Sequence, residues 1–409
     1  MEQGLFAFSN FFLSLLLARW LDPQDYGVFT VAYSIFLFLA TIHTSLFTEP
    51  ILVFGSGRFH HHQSAYFRTL LEDHGRFIFL SGLTVLTFGI LFGLVLGFDS
   101  SRSFIALGIA SPFILTLWLL RRMCYLRQGP HLAAQAGLIY SIFILGGSLI
   151  LQHFLFLTPS TAFVLIALSS LCSTGWLIFK LQCVSLLRNG HHTHLEFRTA
   201  HWDYGRWALG TNVLTWLPSN IYFFALPLWV GLEAGGALRA LLNFLMPIMH
   251  LFTALGSTLI PFFVGIRSRT DFTITVFKIT GLLIFSSLLY WMILFLYGTD
   301  LMDWVYAGKF NHYGDSLAII GILPILYSIH LVFSSALRAL EKPSVILRAS
   351  LISTIATLSL GLWMVSQWEV IGAQLGWLVS YMVGTALIIG YFLKLRSMHK
   401  LQDPILPKH

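Results

Sequence analysis

The sequence predicts an all-α polytopic membrane protein of about twelve transmembrane helices in two six-helix bundles, and three observations carry that prediction. Of 409 residues, 56% are hydrophobic and only 10% are charged, with a mean hydropathy of +0.78. A soluble chain carries roughly a quarter of its residues as Asp, Glu, Lys and Arg, because water wets it on every side. Apolar runs about 20 residues long, enough to cross a hydrocarbon core about 30 Å thick, recur along the whole chain. Basic residues also alternate from one connection to the next. The formal charge of +7 is no nucleic-acid signature, since its cations are dispersed between apolar runs instead of gathered on one solvated face. Cys124, Cys172 and Cys183 show neither paired nor metal-type spacing and read as structural.

In order, the first half offers spans at residues 4–20, 27–48, 77–97, 103–123, 132–152 and 161–180. The second half offers 206–230, 237–265, 274–297, 316–339, 345–366 and 371–394. Helix is the consistent assignment, because backbone groups in lipid must pair within their own segment and the runs lack the alternation of barrel strands. The first run has no basic region ahead of it and no small-residue cleavage site, so it reads as a retained helix. Lys and Arg are held on the cytoplasmic side of a span. The connections after the even-numbered spans, together with the C-terminal tail, hold 20 of the 24 basic residues. The opposite connections hold Arg19, Arg102, Arg239 and Lys309 against eight acids. One missed span would invert every later loop and destroy this split, so both termini are expected in the cytoplasm.

The two halves repeat each other. Trp20 to Gly27, at the end of the first span, has the same spacing as Trp229 to Gly236 at the end of the seventh. The following span in each half ends in proline, Pro50 or Pro261, and Pro112 to Pro130 parallels Pro324 to Pro343. Two bundles in parallel orientation follow, because six is even and both halves enter from the same side. The expected division is residues 1–195 and 196–409.

The opening Gln3-Gly4 to Asn10-Phe11, followed by Leu17-Ala18-Arg19-Trp20-Leu21-Asp22-Pro23-Gln24-Asp25-Tyr26-Gly27-Val28-Phe29, resembles the N-terminal helical hairpin of polysaccharide-biosynthesis (O-antigen) flippases. Their superfamily also holds the multidrug and toxin extrusion exporters. The likeness is strongest over residues 3–55, and the helix plan covers the chain. It implies a V of two bundles around a central cavity that rocks between inward-open and outward-open states in a bacterial inner membrane. The implied cargo is a saccharide on an undecaprenyl diphosphate, with membrane lipids and the polysaccharide assembly machinery as partners and with no cofactor. In such a family the first two helices of each half form the bundle interface.

Polar residues inside spans cost free energy, about 2.5–3.5 kcal/mol for a charge at the helix centre, so each needs a reason. A diphosphate wants cations and donors, whereas sugars want amides, carboxylates and aromatic faces. The candidate substrate-binding residues are Asn10, His43, Asn212, Asn220, Arg239, Asn243 and His250. Arg239 and Asn243 stand four apart and His250 seven further on, which draws one polar stripe along a helix. Arg239 has a second reading, snorkelling to the outer interface, and the asparagines have one as interhelical hydrogen-bonders. Glu49, ahead of Pro50, is the one carboxylate placed within a span, and it is the candidate for sensing a proton or cation. Its other reading is a solvated carboxylate paired with Arg58. His43 and His330 lie within apolar runs, where a bonded core histidine is the alternative to a titrating one.

The runs His60-His61-His62 and His191-His192-Thr193-His194 lack an accompanying Cys or acidic cluster and read as headgroup contacts, with no metal assigned. Arg58, Arg121-Arg122 and Arg338 fit anionic lipid at the inner leaflet, with a second role in admitting a diphosphate. No Walker loop, nucleophile elbow or zinc-protease histidine pair is present. The sequence therefore reads as a non-enzyme, against the alternatives of a polytopic polysaccharide polymerase or ligase and of a multidrug exporter.

Overall fold

The structure, a computed structural model, describes residues 2–96, 98–181 and 195–402. Cys183 and the His191 to His194 run lie outside the described residues. Among those described, no strand occurs and the chain forms twelve long helices. In the first half they are α1 (Glu2–Trp20), α2 (Pro23–His43, continued through a π turn at Thr44–Thr48 into Glu49–Ser56), α3 (Gln63–Leu96), α4 (Phe98–Arg127), α5 (Pro130–His153) and α6 (Pro159–Leu181). In the second half they are α7 (Leu195–Asn220, continued as Tyr222–Trp229), α8 (Leu232–Ile266), α9 (Phe272–Tyr306), α10 (Leu323–Ala339), α11 (343–367) and α12 (370–402). Nine described helices are long and apolar enough to cross a membrane. One of these, Pro343–Ser397, holds both α11 and α12.

The boundaries follow from local chemistry. Asp22, extended at φ −68° and ψ 152°, precedes Pro23 at the first helical position of α2, where its fixed φ fits and its missing N–H costs nothing. Tyr26 then meets Ser14 across the α1–α2 hairpin, hydroxyl to hydroxyl at 2.9 Å. The start of α8 needs Gly231 at φ +135°, a conformation that side chains rarely adopt. Pro218 lies inside α7, and the helix is interrupted at Ile221 shortly after it. The reversal between α11 and α12 falls at Trp368–Glu369, with Glu369 at φ +49°. Ser353 and Ser380 then face each other at 2.7 Å, which makes the two helices antiparallel.

Met1–Trp216 and Leu217–His409 form two compact units. The division between them falls inside α7, whose His201, Tyr204 and Asn212 bond to α2 and α3. In the first unit, α3 and α4 approach through small residues. A Cβ on Gly108 would lie 2.9 Å from the backbone nitrogen of Leu86, the close contact by which helices associate in lipid. The second unit is built on a cluster of Phe252, Phe263, Phe272, Phe333 and Phe392. Facing outward are large apolar side chains such as Phe79, Ile142, Phe179 and Leu282, each more than half exposed, as a lipid-facing surface requires.

Candidate functional site

The first unit gathers polar groups around the π turn of α2, and the reason begins with Pro50. Proline has no N–H to return to the carbonyl of Leu46 four residues back, and a π turn widens the helix at this point, with the Glu49 amide bonding to the carbonyl of Thr44. His201 of α7 bonds to the Leu46 oxygen through Nδ1 at 3.1 Å, and its Nε2 stands 2.6 Å from the Tyr66 hydroxyl of α3. A carbonyl can only accept, so the proton sits on Nδ1 and Nε2 accepts from Tyr66. Burial holds the His201 imidazole below its ordinary pKa, against the opposing pull of the Leu46 carbonyl and Asp73. A cavity of 230 Å³ beside it is lined by Leu46, Tyr66, Asp73, Arg198 and His201, among others.

One turn along, Ser45 and Glu49 share a face and meet α7. Asn212 donates from Nδ2 to the Ser45 hydroxyl at 2.9 Å and to Glu49 Oε2 at 3.2 Å, while the Tyr204 hydroxyl donates to Oε1 at 3.0 Å. Glu49 is thus a half-buried carboxylate held by two neutral donors. Burial, then the Glu49 carboxylate, push the Tyr204 hydroxyl above its ordinary pKa. Arg58, the partner considered from sequence, pairs with Glu196 at 2.7 Å instead. Arg198 pairs with Asp73 at 2.8 Å, so charges in the first turn of α7 bind it to α3 and to the α2–α3 connection.

An adjacent face of the same turn presents Thr44 and Thr48. With Trp118, Arg121 and Arg122 of α4 they line a second cavity, of 140 Å³. The guanidinium of Arg121 lies over the Phe6 ring at 3.5 Å, and that of Arg122 lies 5.8 Å from the Tyr125 ring.

The other candidates divide. Asn10 is bonded within the first unit, donating to the Phe6 carbonyl at 2.8 Å and accepting from the Tyr140 hydroxyl at 3.0 Å. A small cavity of 20 Å³ touches it, room for about one water. His43 is wholly buried against Phe47, His74 and Phe77, and neither of its ring nitrogens has a hydrogen-bond partner among the described residues. In the second unit Asn220 is buried. The stripe read along α8 does not stay on one surface. Asn243 is fully buried and donates to the Tyr306 hydroxyl of α9 at 3.3 Å, Arg239 is half-buried with its guanidinium 5.9 Å from the Phe223 ring, and His250 is exposed. The structure thus brings Glu49 and Asn212 together and separates Asn243 from His250.

Sequence reasoning missed Ser45, Tyr204, His201, Thr44 and Thr48. Pro50 was the available signal for His201, since a freed carbonyl in a membrane helix needs a donor. Nothing in the sequence marks which face the π turn gives Thr44 and Thr48.

Neither a protein-family model nor a curated protein sequence matches the chain. Solved structures do. A multidrug resistance MATE family transporter of the MOP superfamily, in an inward-facing conformation, superposes with a TM-score of 0.77 at 13% identity over 97% of this chain and 96% of that one. Lipid II flippase MurJ in an inward closed conformation gives 0.78 at 12% identity over 96% of this chain and 86% of that one. A MATE structure in complex with MaD3S gives 0.62 at 13% identity over 97% and 94%. At such identities the likeness is one of fold: a multi-pass, all-helical membrane protein with the architecture shared by MATE and MurJ transporters.

Proposed function

We propose that this chain is a flippase that moves a lipid-linked oligosaccharide or polysaccharide precursor across the bacterial inner membrane by alternating access, with both termini in the cytoplasm. The fold alone admits a multidrug exporter as readily as a flippase. What favours the anionic, lipid-linked cargo is the charge built into the first unit: a walled cavity lined by Arg121 and Arg122 and by no carboxylate. A pocket serving cationic drugs wants the opposite sign, whereas a diphosphate is met by guanidinium forks.

In this reading Glu49 is the coupling group. Its partners Tyr204 and Asn212 lie on α7, so a change in its charge acts directly on the contact between α2 and α7. Asn212 belongs to that device, while Arg239, Asn220 and His250 of the second unit contribute to the saccharide path. A polymerase or ligase acting on the same donors is the competing reading from another class.

Export of a labelled lipid-linked saccharide into vesicles carrying the purified protein tests the proposal. Directional transport without change in saccharide length is expected. Lengthening or transfer of the saccharide would establish the enzyme reading, and efflux of cationic dyes in place of saccharide the exporter one. Arg239→Ala is expected to abolish export at unchanged membrane abundance.

A further inference from the structure

We infer that His43 of α2 and His74 of α3 form a proton-binding pair that holds the two helices together while both rings are neutral and releases them when either ring takes up a proton. The pair lies outside the Glu49 cluster and involves no cargo, so it goes beyond the transport reading.

Both side chains are enclosed, at 0% and 2% exposure. Their rings meet edge to face with centroids 5.1 Å apart. Phe47 stacks on His43 at 5.4 Å and stands edge-on to His74 at 5.6 Å, and Phe77 closes the nest 5.9 Å from His43. A neutral imidazole has one donor and one acceptor, yet neither nitrogen of His43 nor Nε2 of His74 has a hydrogen-bond partner among the described residues. The other nitrogen of His74 bonds to the backbone carbonyl of Leu115 on α4. A carbonyl can only accept, so Nδ1 carries the proton and Nε2 presents a bare lone pair. His43 leaves a second lone pair bare in either tautomer.

Packing alone gives no reason for histidine here, because an unpartnered buried polar group costs free energy that phenylalanine or leucine would avoid. What imidazole adds is a site that gains charge close to neutral pH. A proton on either ring puts a cation among Phe47 and Phe77 with no counter-ion in contact among the described residues, a far more costly arrangement than the neutral one. Charged groups on the surrounding helices are engaged elsewhere: Asp73 with Arg198 and Arg76, Glu72 with Arg68, and Glu49 with Tyr204 and Asn212. On α4, Arg121 and Arg122 line the cavity of Thr44 and Thr48, and His201 of α7 is held by Leu46 and Tyr66.

Relief lies behind Phe47, whose ring also lines the 230 Å³ cavity shared by Asp73, Arg198 and His201. At about 30 Å³ per water, that space accommodates an imidazolium ring, and its wall holds a carboxylate. Proton uptake therefore favours a state in which Phe47 yields and the charged ring leaves the nest for the cavity, where it competes with Arg198 for Asp73. The α2–α3 packing and the Arg198 link to α7 loosen together.

The test is amide hydrogen exchange of the full-length protein in mild detergent, read by mass spectrometry at pH 7.5 and 5.5 and corrected for the intrinsic effect of pH on exchange. In the wild type, segments 40–56 and 63–80 are expected to exchange severalfold faster at the lower pH, while segment 132–152 keeps its protection. His43→Phe should abolish the acceleration and raise the unfolding midpoint at pH 7.5, whereas loss of a purely structural histidine would lower that midpoint. His74→Leu should abolish the acceleration too, and it carries the test if His43→Phe does not fold. His201→Gln should retain the acceleration. Equal or tighter protection of the wild type at pH 5.5, or acceleration that persists in both His43→Phe and His74→Leu, overturns the inference. Acceleration lost in His201→Gln and kept in His43→Phe assigns the switch to His201 and overturns it as well. The measurement uses no cargo, so its result stands apart from the success or failure of the export assay.

Discussion

The Glu49 cluster makes the most direct quantitative prediction, since two side chains of α7 donate to one carboxylate of α2 within 3.2 Å. A hydrogen bond to a charged group contributes about 1.5–3 kcal/mol when buried. Glu49, Tyr204 and Asn212 are all half-buried, so water competes and the expected contribution of each donor falls to about 1–2 kcal/mol. Tyr204→Phe removes one donor and nothing else, and should destabilise the first unit by that amount. Glu49→Leu removes the acceptor of both bonds. In that background the tyrosine hydroxyl has no carboxylate to bind, and Tyr204→Phe should cost close to zero. The double-mutant cycle should therefore return a coupling energy of about 1 kcal/mol or more, whereas independent sites add to within about 0.5 kcal/mol. The assay is denaturant unfolding in mild detergent followed by tryptophan fluorescence. Equal costs for Tyr204→Phe in both backgrounds would refute the cluster, and with it the assignment of Glu49 as the group that acts on the α2–α7 contact.

Other substitutions test the surroundings. Gly108→Ala places a Cβ 2.9 Å from the Leu86 backbone and should cost about 1–3 kcal/mol by overpacking, while Gly146→Ala, inside α5 with nothing within 4 Å of the added carbon, should not lower the unfolding midpoint and should raise it by up to about 1 kcal/mol of stability. His201 stays neutral in the fold because burial lowers its pKa, whereas in the unfolded chain it takes up a proton near pH 6.5. Its contribution is therefore fully present above that pH and is lost as pH falls. Unfolding curves between pH 7.5 and 5.5 should show a shallower pH dependence for His201→Gln than for the wild type, and identical slopes would exclude the assignment. Asp73 and Arg198, each about a third exposed, should give up about 0.5–1 kcal/mol on single neutralisation, with the charge-swapped pair Asp73→Arg, Arg198→Asp recovering part of the loss.

The fold was legible where a single physical constraint acts over many residues. Bilayer thickness sets the span length, so all twelve helices could be read from apolar runs. The end of α1 at Trp20 matches the first apolar run read at 4–20, whereas α2 begins at Pro23, four residues ahead of the run read at 27–48. The site was legible only to the extent that a polar residue inside an apolar run must have a partner. Sequence flagged Asn212 and Glu49 separately, but that they bond to each other at 3.2 Å depends on the packing of two helices more than 150 residues apart. Asn243 shows the same limit from the other side. Its spacing from Arg239 drew a continuous polar stripe, yet Tyr306, 63 residues away, supplies the hydroxyl that draws it into the core. Periodicity assigns a residue to a helix face, and only tertiary structure decides whether that face meets a cavity, lipid or another helix. The π turn adds a local uncertainty, because one extra residue in a turn rotates everything beyond it. Thr44 and Thr48 line a cavity with Trp118, Arg121 and Arg122 of α4, a meeting of two helices that periodicity along either one does not show.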